Sequence, residues 1–284
     1  MRTTILDLQK MKKHRQRIPM VTAYDATGAR LVEAAGVPII LVGDSVGMVV
    51  QGHGDTIPVT LDELIYHTRM VVRGTQKAFI LADLPFMSYQ VSVEEALESA
   101  GRMMKEGGAN GVKLEGGAHM AETVARLTRI GIPVMGHIGL TPQSVNALGG
   151  FRMQGRDEKS AERIYNDALA LEEAGAFALL LETMPAPLGT RITEHVKIPT
   201  IGIGAGPGCD GQVQVFHDML GLIDGFLPKH AKQYAHLSEQ IGAAIRQYIV
   251  EVQDGTFPDA EHSFGMEQPA SAMPLYGNGD ANAL

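Results

Sequence analysis

Three stretches of the chain repeat one grammar. Val32-Glu33-Ala34-Ala35-Gly36 precedes Ile39-Ile40-Leu41-Val42-Gly43-Asp44, Lys105-Glu106-Gly107-Gly108-Ala109 precedes Gly111-Val112-Lys113-Leu114-Glu115, and Glu172-Glu173-Ala174-Gly175-Ala176 precedes Ala178-Leu179-Leu180-Leu181-Glu182. Each reads as the end of a helix, a glycine cap, a short strand without polar alternation, and a carboxylate where the strand ends. Strands apolar on both faces belong to parallel sheets covered by helices.

Between these units lie three more short apolar runs, from Ala78 to Ala82, Pro133 to Gly136 and Pro199 to Ile203. Thr60 with Glu63 and Ser92 with Glu95 have the capping-box spacing of helix starts, and Ala96, Leu97, Ala100, Met103 and Met104 follow on one face. Val21-Thr22-Ala23 and Val213-Gln214-Val215 complete eight candidate strands alternating with helices. An open doubly wound sheet accommodates that alternation, but gives no reason for carboxylates to recur at the ends of strands two, three, four and six. A closed barrel does, because its strand C-termini surround one mouth. The expected fold is therefore α/β, a single-domain (β/α)8 TIM barrel over residues 1–264 with a short N-terminal helix. Residues 265–284 lack apolar periodicity and are expected to form a flexible tail.

Composition narrows the function. With 284 residues, 45% hydrophobic and 20% charged, the chain suits one large α/β barrel or two modest domains, and most of it is not disordered. A formal net charge of -8 argues against a nucleic-acid partner. Cys209 is the single cysteine, which excludes an intramolecular disulfide framework and a cysteine-rich zinc site and points to a reducing cytoplasm. No apolar run reaches the roughly 18 residues of a spanning helix, so no membrane role is expected. Lys10, Lys12, Lys13, Arg15 and Arg17 form a basic segment, read as a surface helix rather than a targeting sequence from the spacing of Leu6, Gln9, Lys10 and Lys13.

In the barrel, Asp44, Asp83, Glu115 and Glu182 crowd the mouth, and Lys113 points the same way as Glu115 two residues on. At about 5 Å and an effective dielectric near 20, each like-charged pair costs roughly 3 kcal/mol. Such a group either binds a cation or keeps some acids protonated. Oxygen donors without cysteine suit Mg²⁺, and His137 leaves zinc or cobalt open. The plainer reading makes Asp44 and Asp83 caps of the helices after their strands. Lys113 fits an ion-pair partner, an anion-binding charge or a Schiff-base nucleophile, and neighbouring acids that keep it protonated favour a charge role. Glu182, at an apolar strand end, fits a general base or a helix cap. The run from Gly202 to Gly208 implies close backbone approach to a ligand and makes only a weak dinucleotide motif.

The residues Met20-Val21-Thr22-Ala23-Tyr24-Asp25-Ala26, Leu41-Val42-Gly43-Asp44-Ser45-Val46-Gly47-Met48, Leu81-Ala82-Asp83-Leu84-Pro85-Phe86, Gly111 to Gly117, Gly136 to Gln143, Leu181-Glu182 and Ile201 to Gly206 resemble the ketopantoate hydroxymethyltransferase family over roughly residues 1 to 264. The resemblance implies transfer of a one-carbon unit from 5,10-methylenetetrahydrofolate to the keto acid 2-oxoisovalerate, giving ketopantoate for pantothenate and coenzyme A synthesis. It implies a magnesium site of Asp44, Asp83 and Glu115, a substrate site of Asp44, Ser45, Asp83, Lys113 and His137, and Glu182 as proton acceptor. It further implies a cytoplasmic homo-oligomer, a decamer of stacked rings. A second family, the phosphoenolpyruvate mutase and isocitrate lyase group, pairs Mg²⁺ with an α-keto acid at the same mouth but carries a Lys-Lys-Cys-Gly-His segment that this chain lacks. A non-catalytic barrel that binds a keto acid is the third reading.

Overall fold

The computed structural model describes residues 1–223, 225 and 227–265. Eight parallel strands close into a barrel in sequence order, β8 pairing back onto β1 through Met20 and Val213. In chain order the elements are α1 (Ile5–Lys13), β1 (Ile18–Thr22), α2 (Ala26–Ala34), β2 (Ile39–Val42), α3 (Val46–Val49), α4 (Leu61–Arg73), β3 (Phe79–Asp83), α5 (Val93–Arg102), β4 (Gly111–Glu115), α6 (Ala121–Arg129), β5 (Val134–Gly139), α7 (Val145–Leu148), α8 (Glu158–Glu173), β6 (Ala178–Glu182), α9 (Ala186–His195), β7 (Thr200–Ile203), β8 (Gly211–Gln214), α10 (Phe216–Met219) and α11 (Leu237–Gln253). The barrel belongs to a compact unit, Met1–Ala235, and the chain from His236, which carries α11, forms a second. Of the expected tail, residues 266–284 lie outside the described residues.

The repeated grammar folds as its chemistry requires. Gly36, Gly108 and Gly175 take φ of +89°, +77° and +97°, the left-handed turn that ends a helix and re-aims the chain into a strand. The glutamate before two of these turns has a second task. Glu33 accepts backbone N–H bonds from Gln76, Lys77 and Ala78 just before β3. Glu172 does the same for Lys197 and Ile198 before β7. Each fastens a helix to the entrance of the strand after next, satisfying amides that precede a buried strand. Glu106, in the third repeat, pairs instead with Arg102 and Arg69.

Two apolar layers result. Ile18, Met20, Leu41, Phe79, Leu81, Met135, Leu180, Ile201 and Val213 fill the barrel interior, and Leu8 of α1 joins them. The N-terminal helix thus carries Leu6, Lys10 and Lys13 on an exposed face and packs Leu8 against the interior cluster. Outside, Ile40, Val42, Ile80, Ala82, Val112 and Leu114 meet the helices. Thr60 and Glu63 form the expected reciprocal capping box. At Ser92 only the hydroxyl half forms, accepting from Glu95 N–H.

The eighth strand differs from its expected position. It runs from Gly211 to Gln214, two residues earlier than the apolar pattern suggested, because no helix separates it from β7. The glycine-rich segment between them is too short for a crossover helix. Gly206 and Gly208 lie against α9: a Cβ on Gly206 would stand 2.4 Å from Ala186 Cβ, and one on Gly208 2.1 Å from Thr190 Oγ1. At these two positions the close backbone approach expected for a ligand is made to a helix.

Candidate active site

Parallel register assembles the inner wall of the mouth. It sets Asp83 beside Lys113 and Glu115 beside His137 on neighbouring strands. Lys113 and Glu115 share the inward face because side chains alternate along β4. Lys113 Nζ lies 3.1 Å from Asp83 Oδ1 and 3.2 Å from His137 Nδ1. His137 in turn bridges two acids, with Nδ1 3.4 Å from Glu115 Oε1 and Nε2 3.2 Å from Glu182 Oε2. Glu182 reaches this wall because β5 ends in Gly139 at φ +96°, where a Cβ would stand 2.2 Å from the Glu182 carbonyl oxygen.

Asp44 follows β2, and its backbone N–H donates to Asp83 Oδ2 at 3.0 Å. Gly43 leaves room for this contact, since a Cβ there would stand 2.8 Å from Ser45 Oγ and 3.4 Å from Asp83 Oδ2. Ser45 Oγ exchanges a hydrogen bond with Tyr24 Oη at 2.8 Å. Helix capping does not explain these acids. The N-cap of α3 is Ser45, without a side-chain cap bond, that of α5 is Ser92, and α9 begins after Pro185.

Gln143, a residue to which the sequence reading gave no role, ties the site together. Its Nε2 donates to Asp44 Oδ2 at 2.8 Å and to the Leu84 carbonyl at 3.0 Å, and its backbone N–H donates to Glu115 Oε2 at 3.0 Å. Its Oε1 accepts from Tyr89 Oη at 2.7 Å and Gln90 Nε2 at 3.1 Å, which fixes the amide orientation. Tyr89 Oη also accepts the Glu115 N–H at 3.0 Å. Gln143 thereby links four mouth loops. The available signal was slight: a polar residue after Pro142 in the loop beyond a barrel strand, on the face where loops carry function.

Asp44, Asp83, Lys113, Glu115 and His137 are all buried. Burial, then Asp83 and Glu115, hold the Asp44 carboxyl well above its usual range. Burial likewise raises Asp83, against the opposing pull of Lys113. For Lys113, burial favours the neutral amine, but Asp83, Glu115 and Asp44 outweigh it and keep the ammonium. That is the charged state expected from the sequence, and it disfavours a Schiff-base role. Burial and Lys113 oppose a charge on His137, yet Glu115 and Glu182 push its pKa up to about 9. The Glu182 side chain keeps 15% of its surface exposed, against 2% for Asp83 and 3% for Glu115, so it is the acid most open to a ligand in the mouth.

With Lys113 and His137 charged, the four acids if all ionised would leave two negative charges, which a divalent cation would balance and which a proton on Asp44 reduces in its place. Asp83 Oδ1 and Glu115 Oε1 receive no well-directed hydrogen bond. Among the described residues no trio of His, Cys, Asp or Glu side chains already forms a metal cage. Mg²⁺ does not need one, because it commonly takes one or two carboxylates and fills its octahedron with water and substrate oxygens. The donor set of Asp44, Asp83 and Glu115 therefore fits it. Cys209 is fully buried beside Gly202, and its thiol is raised by burial, so it is no reactive substitute for the missing cysteine segment.

A family model described as ketopantoate hydroxymethyltransferase matches residues 2–260. The 3-methyl-2-oxobutanoate hydroxymethyltransferase of Chloroflexus aurantiacus is 59% identical over 280 residues, covering 99% of each chain. That of Moorella thermoacetica is 58% identical over 263 residues, covering 93% of this chain and 98% of its own. Among solved structures, phosphonopyruvate hydrolase superposes with a TM-score of 0.61 at 14% identity, covering 93% of this chain and 92% of that one. A 2,3-dimethylmalate lyase of the phosphoenolpyruvate mutase and isocitrate lyase superfamily gives 0.57 at 16%, covering 95% and 93%. At such identities these two likenesses concern the fold alone. No helix among the described residues is long and apolar enough to cross a membrane.

Proposed function

Because this chain belongs to the ketopantoate hydroxymethyltransferase family, we propose that it transfers a hydroxymethyl unit from 5,10-methylenetetrahydrofolate to 2-oxoisovalerate, with Glu182 as the base. The observation that carries this reading is the contrast within one mouth: three buried acids wrapped around Gln143 and Lys113, and a fourth, Glu182, partly open and held at one oxygen by His137.

Asp44, Asp83 and Glu115 would hold Mg²⁺, which when bound polarises a keto oxygen and stabilises the negative charge of an enolate. Lys113, kept charged by its acids, and the Ser45 hydroxyl would bind and orient the substrate carboxylate. His137 Nε2, 3.2 Å from Glu182 Oε2, would pair with that carboxylate as an imidazolium. Glu182 then removes the proton from C3 of the keto acid. The C3 carbanion forms a bond to the methylene carbon, both carbon–nitrogen bonds to the folate break, and water supplies the hydroxyl oxygen. The C3 proton and one water proton end on the two folate nitrogens. The product would feed pantothenate synthesis in the cytoplasm, and the same family resemblance supports a homo-oligomer, a decamer, which mass photometry would test.

Exchange of the C3 proton with deuterated water isolates the first step, because it needs no folate. Glu182→Gln keeps the size and removes the base, so exchange should fall by about 10²- to 10⁴-fold while Mg²⁺ and keto-acid binding persist. Exchange near the wild-type rate would remove Glu182 from the role and make His137 the next candidate.

A further inference from the structure

The three buried acids Asp44, Asp83 and Glu115 occupy one half of the mouth, at the ends of β2, β3 and β4. The other half, running from β6 through β8 to β1, carries polar groups that the proton-transfer step leaves unused. Thr183, directly after Glu182, takes φ +45°, an uncommon conformation for a residue with a β-branched side chain. Its hydroxyl is buried without a hydrogen-bond partner, as is Nδ1 of His217 on α10. Buried polar atoms are nearly always partnered, so two orphans on one arc call for an explanation.

Their surroundings indicate a ligand. Gly204, at φ +68°, sits where Thr183 and His230 converge: a Cβ there would lie 3.3 Å from Thr183 Oγ1 and 3.2 Å from His230 Cβ. Asp218, next to His217, is half-buried, and its charge acts on Tyr24. Burial holds the Asp218 carboxyl above its usual range despite His230. The Tyr24 ring lies 5.5 Å from that of His217, while Tyr24 Oη bonds Ser45 beside the acids. The loop after β5 is fastened to this arc where Gln154 N–H donates to the Thr183 carbonyl at 3.0 Å, and it presents Phe151, 50% exposed.

We propose that this arc binds the one-carbon donor, with Asp218, Thr183 and His217 taking the N–H and carbonyl edge of its fused pyrimidinone ring and Phe151 bordering the ring face. A carboxylate accepts from paired N–H groups, and a hydroxyl and an imidazole nitrogen supply adaptable partners for the remaining edge. A donor seated here would lie beside Glu182, because Thr183 is its chain neighbour, so that its methylene carbon faces the C3 that Glu182 deprotonates. The inference rests on the folate reading of the proposed function.

The test separates the two halves of the mouth. Asp218→Asn and Thr183→Val should each raise the KM for methylenetetrahydrofolate on the order of tenfold or more, the effect of losing one well-made hydrogen bond to a buried polar or charged group. The KM for 2-oxoisovalerate should move far less, and donor-free exchange of the C3 proton should continue. As a measurement independent of folding defects in the variants, tetrahydrofolate added to the wild-type enzyme should slow amide hydrogen exchange in peptides covering Thr183 and residues 216–230. Wild-type donor KM in both folded variants, or protection confined to other mouth loops, would overturn the subsite alone. A wild-type enzyme that exchanges C3 protons but neither binds nor uses any folate would overturn the donor assignment and this inference together.

Discussion

Replacing Asp44 with asparagine removes one charge from the acid cluster and keeps an oxygen for the Gln143 amide, which now reaches Asp44 Oδ2 at 2.8 Å. Burial, Asp83 and Glu115 raise the Asp44 pKa, so the folded, metal-free protein holds this proton to higher pH than the unfolded chain does. Above the ordinary aspartate value of 3.8 the unfolded state therefore binds fewer protons, and the stability owed to Asp44 falls as pH rises until the raised folded pKa is passed. Asparagine escapes that loss. Keeping an ordinary aspartate protonated at neutral pH costs about 4 kcal/mol, which bounds the effect from above. One like-charged pair at an effective dielectric near 20 costs about 3 kcal/mol, and the attraction of Lys113 offsets part of it. The expected gain for Asp44→Asn without metal is thus about 2 to 3 kcal/mol at neutral pH. Urea unfolding of both proteins, in EDTA and in excess Mg²⁺ and at about pH 5 and pH 8, measures it. The variant should be the more stable in EDTA, by a margin that widens with pH, and should lose Mg²⁺-induced stabilisation and Mg²⁺-supported turnover. A wild-type protein more stable than the variant in EDTA at the higher pH would refute the reasoning.

Gln143→Leu strips Asp44 of its side-chain partner and leaves Tyr89 Oη only its bonds to the Glu115 backbone, so unfolding should become easier by about 1 to 3 kcal/mol, and calorimetry should show weaker Mg²⁺ binding in the folded variant. His137 behaves oppositely to a buried neutral histidine: its pKa, pushed up to about 9 from 6.5, gives stability that is complete below 6.5 and lost as pH rises through about 9. That component is worth about 3 kcal/mol, and in metal-free urea titrations at about pH 6 and pH 9.5 a His137→Gln variant should lack it. Gly139→Ala forces a side chain onto the Glu182 carbonyl at left-handed φ, so stability should fall by at least about 2 kcal/mol, seen as a lower thermal midpoint. EDTA should abolish turnover, whereas borohydride with keto acid should leave Lys113 without a reduced adduct detectable by mass spectrometry.

The barrel was legible because its local signals agree. Gly36, Gly108 and Gly175 stand where a left-handed turn must follow a helix, and the strands after them are buried along their length. The β8 boundary was misplaced because the expected alternation implied a helix before it, whereas a glycine segment lying on α9 makes the connection. The acids were visible because each terminates or follows an apolar run, a place where only an end-of-strand function tolerates a charge. Their partners were not. Gln143 sits 99 residues from Asp44, and no local pattern marks a glutamine whose side chain serves one distant carboxylate and whose backbone N–H serves another.

The same limit governs the unused half of the mouth. Asp83, Glu115 and Glu182 stand at strand ends, so apolar patterning that finds the strands also finds the acids. Asp218 and His217 lie on α10, a four-residue helix with no buried residues of its own, and Thr183 looks in sequence like any residue leaving a strand. What distinguishes Thr183 and His217 is want of a partner, a property of the folded neighbourhood rather than of the chain. A buried donor or acceptor left single costs on the order of 1 to 3 kcal/mol, and a fold that supplies one carboxylate to the three N–H groups before β3 and several bonds to Gln143 has the means to satisfy Thr183 and His217 as well. That it does not do so beside the proposed base is physical reason to look for the missing partner in a ligand.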